Sequence, residues 1–297
     1  MSAPASPRFP PPLLPLLCCP ICQSPLRQEA TALRCVARHG FDVARQGYVN
    51  LLPGHRAPGN ADTQSMVAAR ETFLARGHYE PLAALLAEHA ARLTGADATE
   101  GCVLDVGAGT GHYLARVLDR CPALTGLAID ISRFAARRAA RAHARAGALI
   151  ADGERTLPIR NHSVALALSV FAPRNVTELH RILNRRGALL IVTPTDQHLT
   201  QLIQPMGLLS VDARKEERLH TRLRATFKPG VREALELTLR LTRDDAFHIA
   251  AMGPSAFHAS TEELRRRADV LPELLTVSAS FTVASYHRVE RNGSAPA

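Results

Sequence analysis

Near the start of the chain, Cys19-Pro20-Ile21-Cys22 and Cys35-Val36-Ala37-Arg38-His39 set three thiols and one imidazole at the spacing C-x2-C-x12-C-x3-H. Three thiolates and a neutral imidazole fill a tetrahedral shell, the arrangement of structural zinc, and leave no open position for a reacting water. A fragment this small and loop-rich buries too little apolar surface to fold alone, so the metal supplies folding free energy. Cys18 could stand in for Cys19, but the C-P-x-C knuckle favours Cys19. Cys102 and Cys121 stand alone in apolar surroundings, an asymmetry that argues for a metal site and against a disulfide framework.

A second set of residues lies farther on. Asp105-Val106-Gly107-Ala108-Gly109-Thr110-Gly111-His112 follows a short apolar run at 102–106. Alternate glycines allow a sharp turn and let backbone N–H groups approach a ligand where a side chain would clash. The dinucleotide fingerprint G-x-G-x-x-G needs its third glycine where His112 stands; the form here is G-x-G-x-G. Asp130, nineteen positions after Gly111, can accept from two ribose hydroxyls, and Asp152 after the next strand can accept from an adenine amino group. Acids and glycines at successive strand ends suit an adenosine-bearing ligand and make no provision for phosphate. Nothing matches a nucleotide-triphosphate loop or a kinase motif set.

The elements that must hold these groups alternate. Helical spacing at 66–75 and 81–93 precedes the run 102–106; then come a helix at 111–120, a strand at 124–130, a long helix at 132–145 and a strand at 148–152. A strand at 164–170, a helix at 176–183, a strand at 188–193 and a helix at 197–209 continue the rhythm. Two more strands, 234–241 and 277–286, flank a helical segment at 261–268. Alternation of this kind predicts a doubly wound α/β fold, a seven-stranded and mostly parallel sheet closed by an antiparallel edge, with function at the carboxyl ends of the strands. Four segments are expected: a disordered Pro-rich tail at 1–15, a zinc-binding domain at 16–55, a linker at 56–65, and the α/β domain at 66–297.

Length and composition agree. At 297 residues one large domain plus a small appendage is natural. No uncharged apolar run reaches membrane-spanning length, and the Leu/Pro stretch at 13–17 lacks the basic flank of a signal peptide, so a cytoplasmic protein with no membrane partner is expected. The formal charge of +9 is almost all arginine, since lysine occurs only at Lys215 and Lys228. Arginine suits phosphate and base stacking, which points modestly to a polyanionic partner. Arg133, Arg137, Arg141 and Arg145 recur every fourth residue as a basic helical stripe, for which a solvated face is the simpler reading.

The glycine motif with Asp105, Asp130 and Asp152, followed by Glu178-Leu179-His180-Arg181-Ile182-Leu183 and the strand Leu189-Leu190-Ile191-Val192, resembles the class I S-adenosylmethionine methyltransferase pattern, with Arg185-Arg186-Gly187 where that family usually has Pro-Gly-Gly. Around the zinc ligands the likeness becomes narrower. Gly40 to Pro53, Ala69-Arg70, Gly77-His78-Tyr79 and Pro81-Leu82 resemble the RlmA family of 23S ribosomal RNA guanine-N1 methyltransferases. Val170-Phe171-Ala172-Pro173-Arg174-Asn175 and Ala251-Met252-Gly253-Pro254-Ser255 bring it closer to the macrolide-resistance branch, of the tylosin type. The resemblance implies methylation of N1 of one guanine in a hairpin loop of 23S ribosomal RNA, with the zinc module helping to hold the hairpin. It assigns Cys19, Cys22, Cys35 and His39 to structural zinc, and adds Tyr79, Tyr113, Leu114 and His198 to the cofactor pocket with Gly107, Gly109, Gly111 and His112. By its sequence neighbourhood alone, His198 reads as an ordinary histidine in a first helical turn.

Methyl transfer to guanine N1 displaces a proton, so a base, or a group that stabilises charge on O6, is expected near the strand end at 170–174. Arg174 is the candidate for O6 and Asp196 the candidate proton acceptor, while Phe171 either stacks on an extruded base or packs in the core. Two rival functions share these features: a small-molecule methyltransferase of the quinone or natural-product kind, and a zinc-ribbon nucleic-acid-binding protein whose α/β domain senses S-adenosylmethionine. A homodimer through the zinc domain is left open.

Overall fold

A computed structural model describes residues 9–54, 61–95 and 100–289. The N-terminal region opens with a 3-10 turn, Pro11–Leu16, and three short strands, β1 (Arg27–Glu29), β2 (Ala32–Arg34) and β3 (Gly40–Asp42), which form a small antiparallel sheet in that order. The chain continues through β4 (Tyr48–Asn50), α1 (Gln64–Ala75), α2 (Glu80–Thr94), β5 (Cys102–Val106), α3 (His112–Arg120), β6 (Thr125–Asp130), α4 (Arg133–Ala139), β7 (Ala146–Ile150), β8 (Val164–Val170) and α5 (Val176–Ile182). It ends with β9 (Leu183–Pro194), α6 (Thr200–Met206), α7 (Ala213–Arg224), β10 (Phe227–Thr242), α8 (Arg243–Ala251), α9 (Thr261–Asp269) and β11 (Leu274–Arg288).

The large sheet has the order β10-β11-β9-β8-β5-β6-β7-β4. Strands β9 to β4 in that order run parallel, and β11 and β10 close one edge antiparallel, so the expected mixed sheet is present. Strands β5 and β7 are buried at every residue because helices and loops cover both faces. One face is packed by Leu82 and Leu86 of α2, Leu114, Val117 and Leu118 of α3, and Phe247 and Leu264 of α8 and α9. The other is packed by α5, Leu223, Phe227 and the N-terminal module through Leu17, Leu26, Leu33 and Val43. The strand order turns at β5, between β6 and β8, which is where a doubly wound sheet leaves its crevice. Among the described residues no helix is long and apolar enough to cross a membrane.

Several expectations are corrected. The sheet has eight strands, because β4, inside the segment expected to be only zinc domain, pairs in parallel with β7, and Leu51 N–H donates to Ile150 O at 2.9 Å. Of the expected disordered tail, residues 1–8 lie outside the described residues, but Phe9 and Leu13 are fully buried. They lie on Gly147, where an added Cβ would meet Leu13 Cδ1 at 2.8 Å and Phe9 Cζ at 3.0 Å. Those apolar side chains fill a face that the glycine leaves open. The expected linker is described only from residue 61; Asp62 and Thr63 are fixed, Thr63 Oγ1 capping α1 through Met66 N–H at 3.3 Å. Helix α4 stops at Ala139 and does not reach 145, and the arginine stripe is broken with it: the Arg145 guanidinium donates to the carbonyls of Leu118, Cys121 and Leu124 around the end of α3. His198 precedes α6 instead of opening it.

Candidate metal centre and cofactor cleft

The four N-terminal ligands converge. Sγ of Cys19, Cys22 and Cys35 and Nδ1 of His39 all lie within 4.8 Å of one another, with Cys19–His39 at 3.5 Å, Cys35–His39 at 3.4 Å and Cys22–Cys35 at 3.6 Å. Zinc bonds of about 2.3 Å to sulfur and about 2.0–2.1 Å to nitrogen give tetrahedral edges of about 3.6–3.8 Å, so the donor set fits that ion. The approach is too distant for a disulfide. Short strands and turns place the ligands: Cys19 N–H donates to Ser24 O at 2.8 Å, and Cys35 N–H donates to His39 O at 3.2 Å, so each knuckle closes on itself. Cys18 is not among the four converging ligands; its backbone N–H donates to Pro158 O at 3.0 Å.

At the sheet's crevice, β5 ends in the glycine turn. The N–H groups of Gly107 and Ala108 both donate to Ile129 O, at 2.8 and 3.0 Å, which ties the turn to β6. Gly107 has φ +73°, and a Cβ there would overlap that of Ala172. Gly111, at φ +79°, caps α3 where Ala139 Cα would stand 3.0 Å from an added Cβ. Asp130 braces the turn: Oδ2 accepts from Gly109 N–H and Oδ1 from Ser132 N–H, both at 2.8 Å, and each oxygen keeps a lone pair. Burial raises its pKa despite those two donors. Asp152 sits two residues beyond β7, Oδ1 accepting from Glu154 N–H at 2.9 Å and Oδ2 facing Arg155 Nε at 3.3 Å.

Asp105 carries the sharpest signal. Both of its carboxylate oxygens are buried without a hydrogen-bond partner, and burial first, then the Asp130 carboxylate, push it up to about 7. The Tyr113 hydroxyl is likewise buried and unpartnered, and burial holds it well above its usual range. Unsatisfied buried polar groups are costly, and a cationic, hydrogen-bonding ligand beside the glycine turn removes that cost. The residues present therefore fit S-adenosylmethionine, which bears an ammonium, a sulfonium and an adenosine.

Beside these groups lies a packed cluster of aromatic rings. Tyr79 packs edge-on to Phe281 at 5.2 Å, His198 lies 4.7 Å from Phe281, and Phe171 lies 5.5 Å from Phe281 and 6.4 Å from Tyr113. His198 Nδ1 accepts from Ser280 N–H at 3.2 Å, which assigns the proton to Nε2, facing Tyr79 Oη at 3.4 Å. Burial pushes His198 down to about 4, so the ring is neutral at pH 7 and leaves the Tyr79 hydroxyl hydrogen free to donate.

Other expected site residues fall differently. Leu114 is fully buried and packs over Gly126. His112 lies in a cleft between α1 and α3 with Glu71, Leu74 and Arg116. Arg174 folds back from the end of β8: Nε donates to Ser169 Oγ at 3.0 Å and Nη2 to Ala172 O at 2.7 Å. Its pKa is lowered by burial to about 10, and it does not present itself as an open O6 ligand. Asp196 is exposed just after β9, beside the Gln197 amide at 3.5 Å. Sequence reasoning missed Asp62 and gave Arg70, noted only within the Ala69-Arg70 segment, no role; the two pair over the turn: Arg70 Nη2 donates to Met252 O at 2.7 Å, Ser132 Oγ donates to Asp62 O at 2.6 Å, and a Cβ on Gly109 would meet Arg70 Nη1 at 3.2 Å. Asp62 belongs to no motif, and the Ala69-Arg70 segment does not say what Arg70 meets; only the fold brings the pair to the glycines.

The comparisons with known proteins agree with both regions. The family model described as "RlmA, N-terminal" matches residues 17–57, and the one described as "Methyltransferase domain" matches residues 103–189. A Streptomyces fradiae 23S rRNA (guanine(748)-N(1))-methyltransferase is 50% identical over 269 residues, covering 89% of this chain and 95% of that one. A Micromonospora griseorubida protein, provisionally named a 23S rRNA (guanine-N(1)-)-methyltransferase, is 47% identical over 294 residues, covering 94% of this chain and 99% of that one. Among solved structures, an S-adenosylmethionine-dependent methyltransferase from Thiobacillus denitrificans in complex with S-adenosyl-L-homocysteine is 17% identical, covers 69% of this chain and 90% of that one, and has a TM-score of 0.44. With 50% identity to a curated relative over 89% of this chain and 95% of that one, the protein belongs to the RlmA family of 23S ribosomal RNA guanine-N1 methyltransferases.

Proposed function

We propose that this chain methylates N1 of a guanine in a hairpin loop of 23S ribosomal RNA, the guanine corresponding to position 748 in the name of the Streptomyces relative. One observation carries the reading: 47% identity over 94% of this chain takes in the metal centre and the cofactor cleft together. Such a methyl group would stand near the peptide tunnel where tylosin-type macrolides bind, and would contribute to resistance to them.

S-adenosylmethionine supplies an electrophilic methyl group. Asp105 would hold the cationic end of the cofactor, Asp130 the ribose and Asp152 the adenine, while Tyr79 and Tyr113 would flank it. These groups act by orientation, since in-line transfer needs the guanine nitrogen and the methyl carbon aligned in a site cleared of water. Methylation of N1 requires the N1 proton to leave; Asp196, exposed to solvent just after β9, would accept it and pass it to solvent. The zinc module takes no part in this step. Its metal sets the fold that holds the hairpin.

The test is transfer of labelled methyl to unmodified 23S ribosomal RNA, followed by digestion to nucleosides. Label in 1-methylguanosine is the expected result; label in another nucleoside, or transfer only to small molecules, would overturn the reading.

A further inference from the structure

We infer that Phe171 is the platform on which the acceptor guanine stacks, and that Arg174 is the positioning residue that holds it there; this rests on the function proposed above. Phe171 stands directly after β8, the strand next to β5 at the crevice, in the left-handed region at φ +56°. A bulky aromatic residue in that conformation is strained, and such strain persists only where its surroundings over-determine it. Core packing does not account for it, because the residue is 42% exposed.

The surroundings that hold it are visible. Phe171 N–H donates to Val192 O at 3.1 Å, and the next carbonyl, of Ala172, accepts from Arg174 Nη2 at 2.7 Å and from Ser169 Oγ at 3.4 Å. Arg174 Nε ties to the same Ser169 hydroxyl at 3.0 Å. The guanidinium thus brackets the strained residue from both sides, without a carboxylate among these contacts. Ala172 in turn lies against Gly107, so this clamp sets the distance between Phe171 and the cofactor turn. On its inner side the ring leans on Phe281 and Tyr113; its other side faces outward, where a flat purine drawn from a single-stranded loop would complete the stack.

The experiment measures kcat and KM on 23S ribosomal RNA, S-adenosylhomocysteine affinity by calorimetry, and thermal stability for Phe171→Ala, Phe171→Gly, Phe171→Tyr, Arg174→Ala and Arg174→Lys. Loss of one stacked base predicts a fall in kcat/KM of about tenfold or more for Phe171→Ala, largely through KM, with cofactor affinity unchanged and Tyr restoring most of the activity. Phe171→Gly is expected to be as inactive yet to melt higher than Phe171→Ala, since glycine carries no penalty at positive φ. Arg174→Ala should lower kcat/KM similarly, be partly rescued by Lys, and add little to Phe171→Ala in the double variant. Full activity of Phe171→Ala, a matching loss of S-adenosylhomocysteine affinity, or additive Arg174 and Phe171 effects would overturn the inference. A wild type inert on the RNA would overturn the proposed function and this inference with it.

Discussion

The metal centre and the cofactor cleft bring polar side chains together in opposite ways. In the first, four donors already stand at the edges of a tetrahedron, yet the module around them consists of three-residue strands with little core of its own. In the second, a continuous core positions every element, while the groups meant for the ligand, Asp105 above all, are left buried and unpaired. The metal makes its own site; the cofactor enters a site made without it. The two regions nevertheless share a seam, because β4 of the N-terminal segment pairs with β7, whose end leads to Asp152.

The largest effect should come from breaking the metal centre. Cys22→Ala, or chelation, removes binding energy that is folding energy for the module, and RNA methylation should be lost altogether. Cofactor affinity should fall by no more than about tenfold, through the β4–β7 seam, a loss comparable to one good interaction. Calorimetry with S-adenosylhomocysteine and zinc release would check both; equal collapse of the two would show that the regions are one folding unit.

Next comes Asp130→Ala, which deprives the N–H groups of Gly109 and Ser132 of their acceptor as well as the ribose of its own. Cofactor affinity should drop about a hundredfold, as for charged hydrogen bonds in a buried site, with zinc content unchanged. Asp105→Asn should act through pH. The carboxyl is raised from 3.8 to about 7, so the unliganded protein gains a proton on folding between those values. Its stabilising contribution is present in full below pH 4 and is lost as pH rises to about 7. A cationic ligand favours the ionised form, so wild-type affinity should improve by up to about tenfold per unit as pH rises toward 7 and then level off. Asn should flatten both profiles; a profile that stays sloped would move the proton elsewhere. The smallest effect is expected for Tyr79→Phe, which leaves the His198 N–H without its acceptor and should cost about 1–2 kcal/mol in thermal or denaturant unfolding.

The same contrast explains what could be read without a structure. The zinc ligands were legible because a metal shell imposes fixed residue types at fixed spacing, and the placing of Asp105, Asp130 and Asp152 at strand ends was legible from the alternation of elements. Strand β4 was not, since three residues have no period to detect. Phe9 and Leu13 looked like tail because their burial depends on Gly147, more than a hundred residues away. Helix α4 was drawn too long: its arginines keep a four-residue spacing past Ala139, but Arg145 serves the end of α3. Arg174 was placed at the strand end where it stands, but its turn back onto Ser169 and Ala172 was not legible, because residue type and position do not say which way a guanidinium points.

The central claim is that the cofactor cleft serves one guanine of ribosomal RNA. Primer extension on 23S ribosomal RNA treated with the protein and S-adenosylmethionine tests it most directly, since a methyl on N1 blocks base pairing and halts reverse transcription. One stop is expected, at a hairpin-loop guanine, absent with Asp130→Ala and with Cys22→Ala. No stop with the wild-type protein, while S-adenosylhomocysteine still binds tightly, would contradict it.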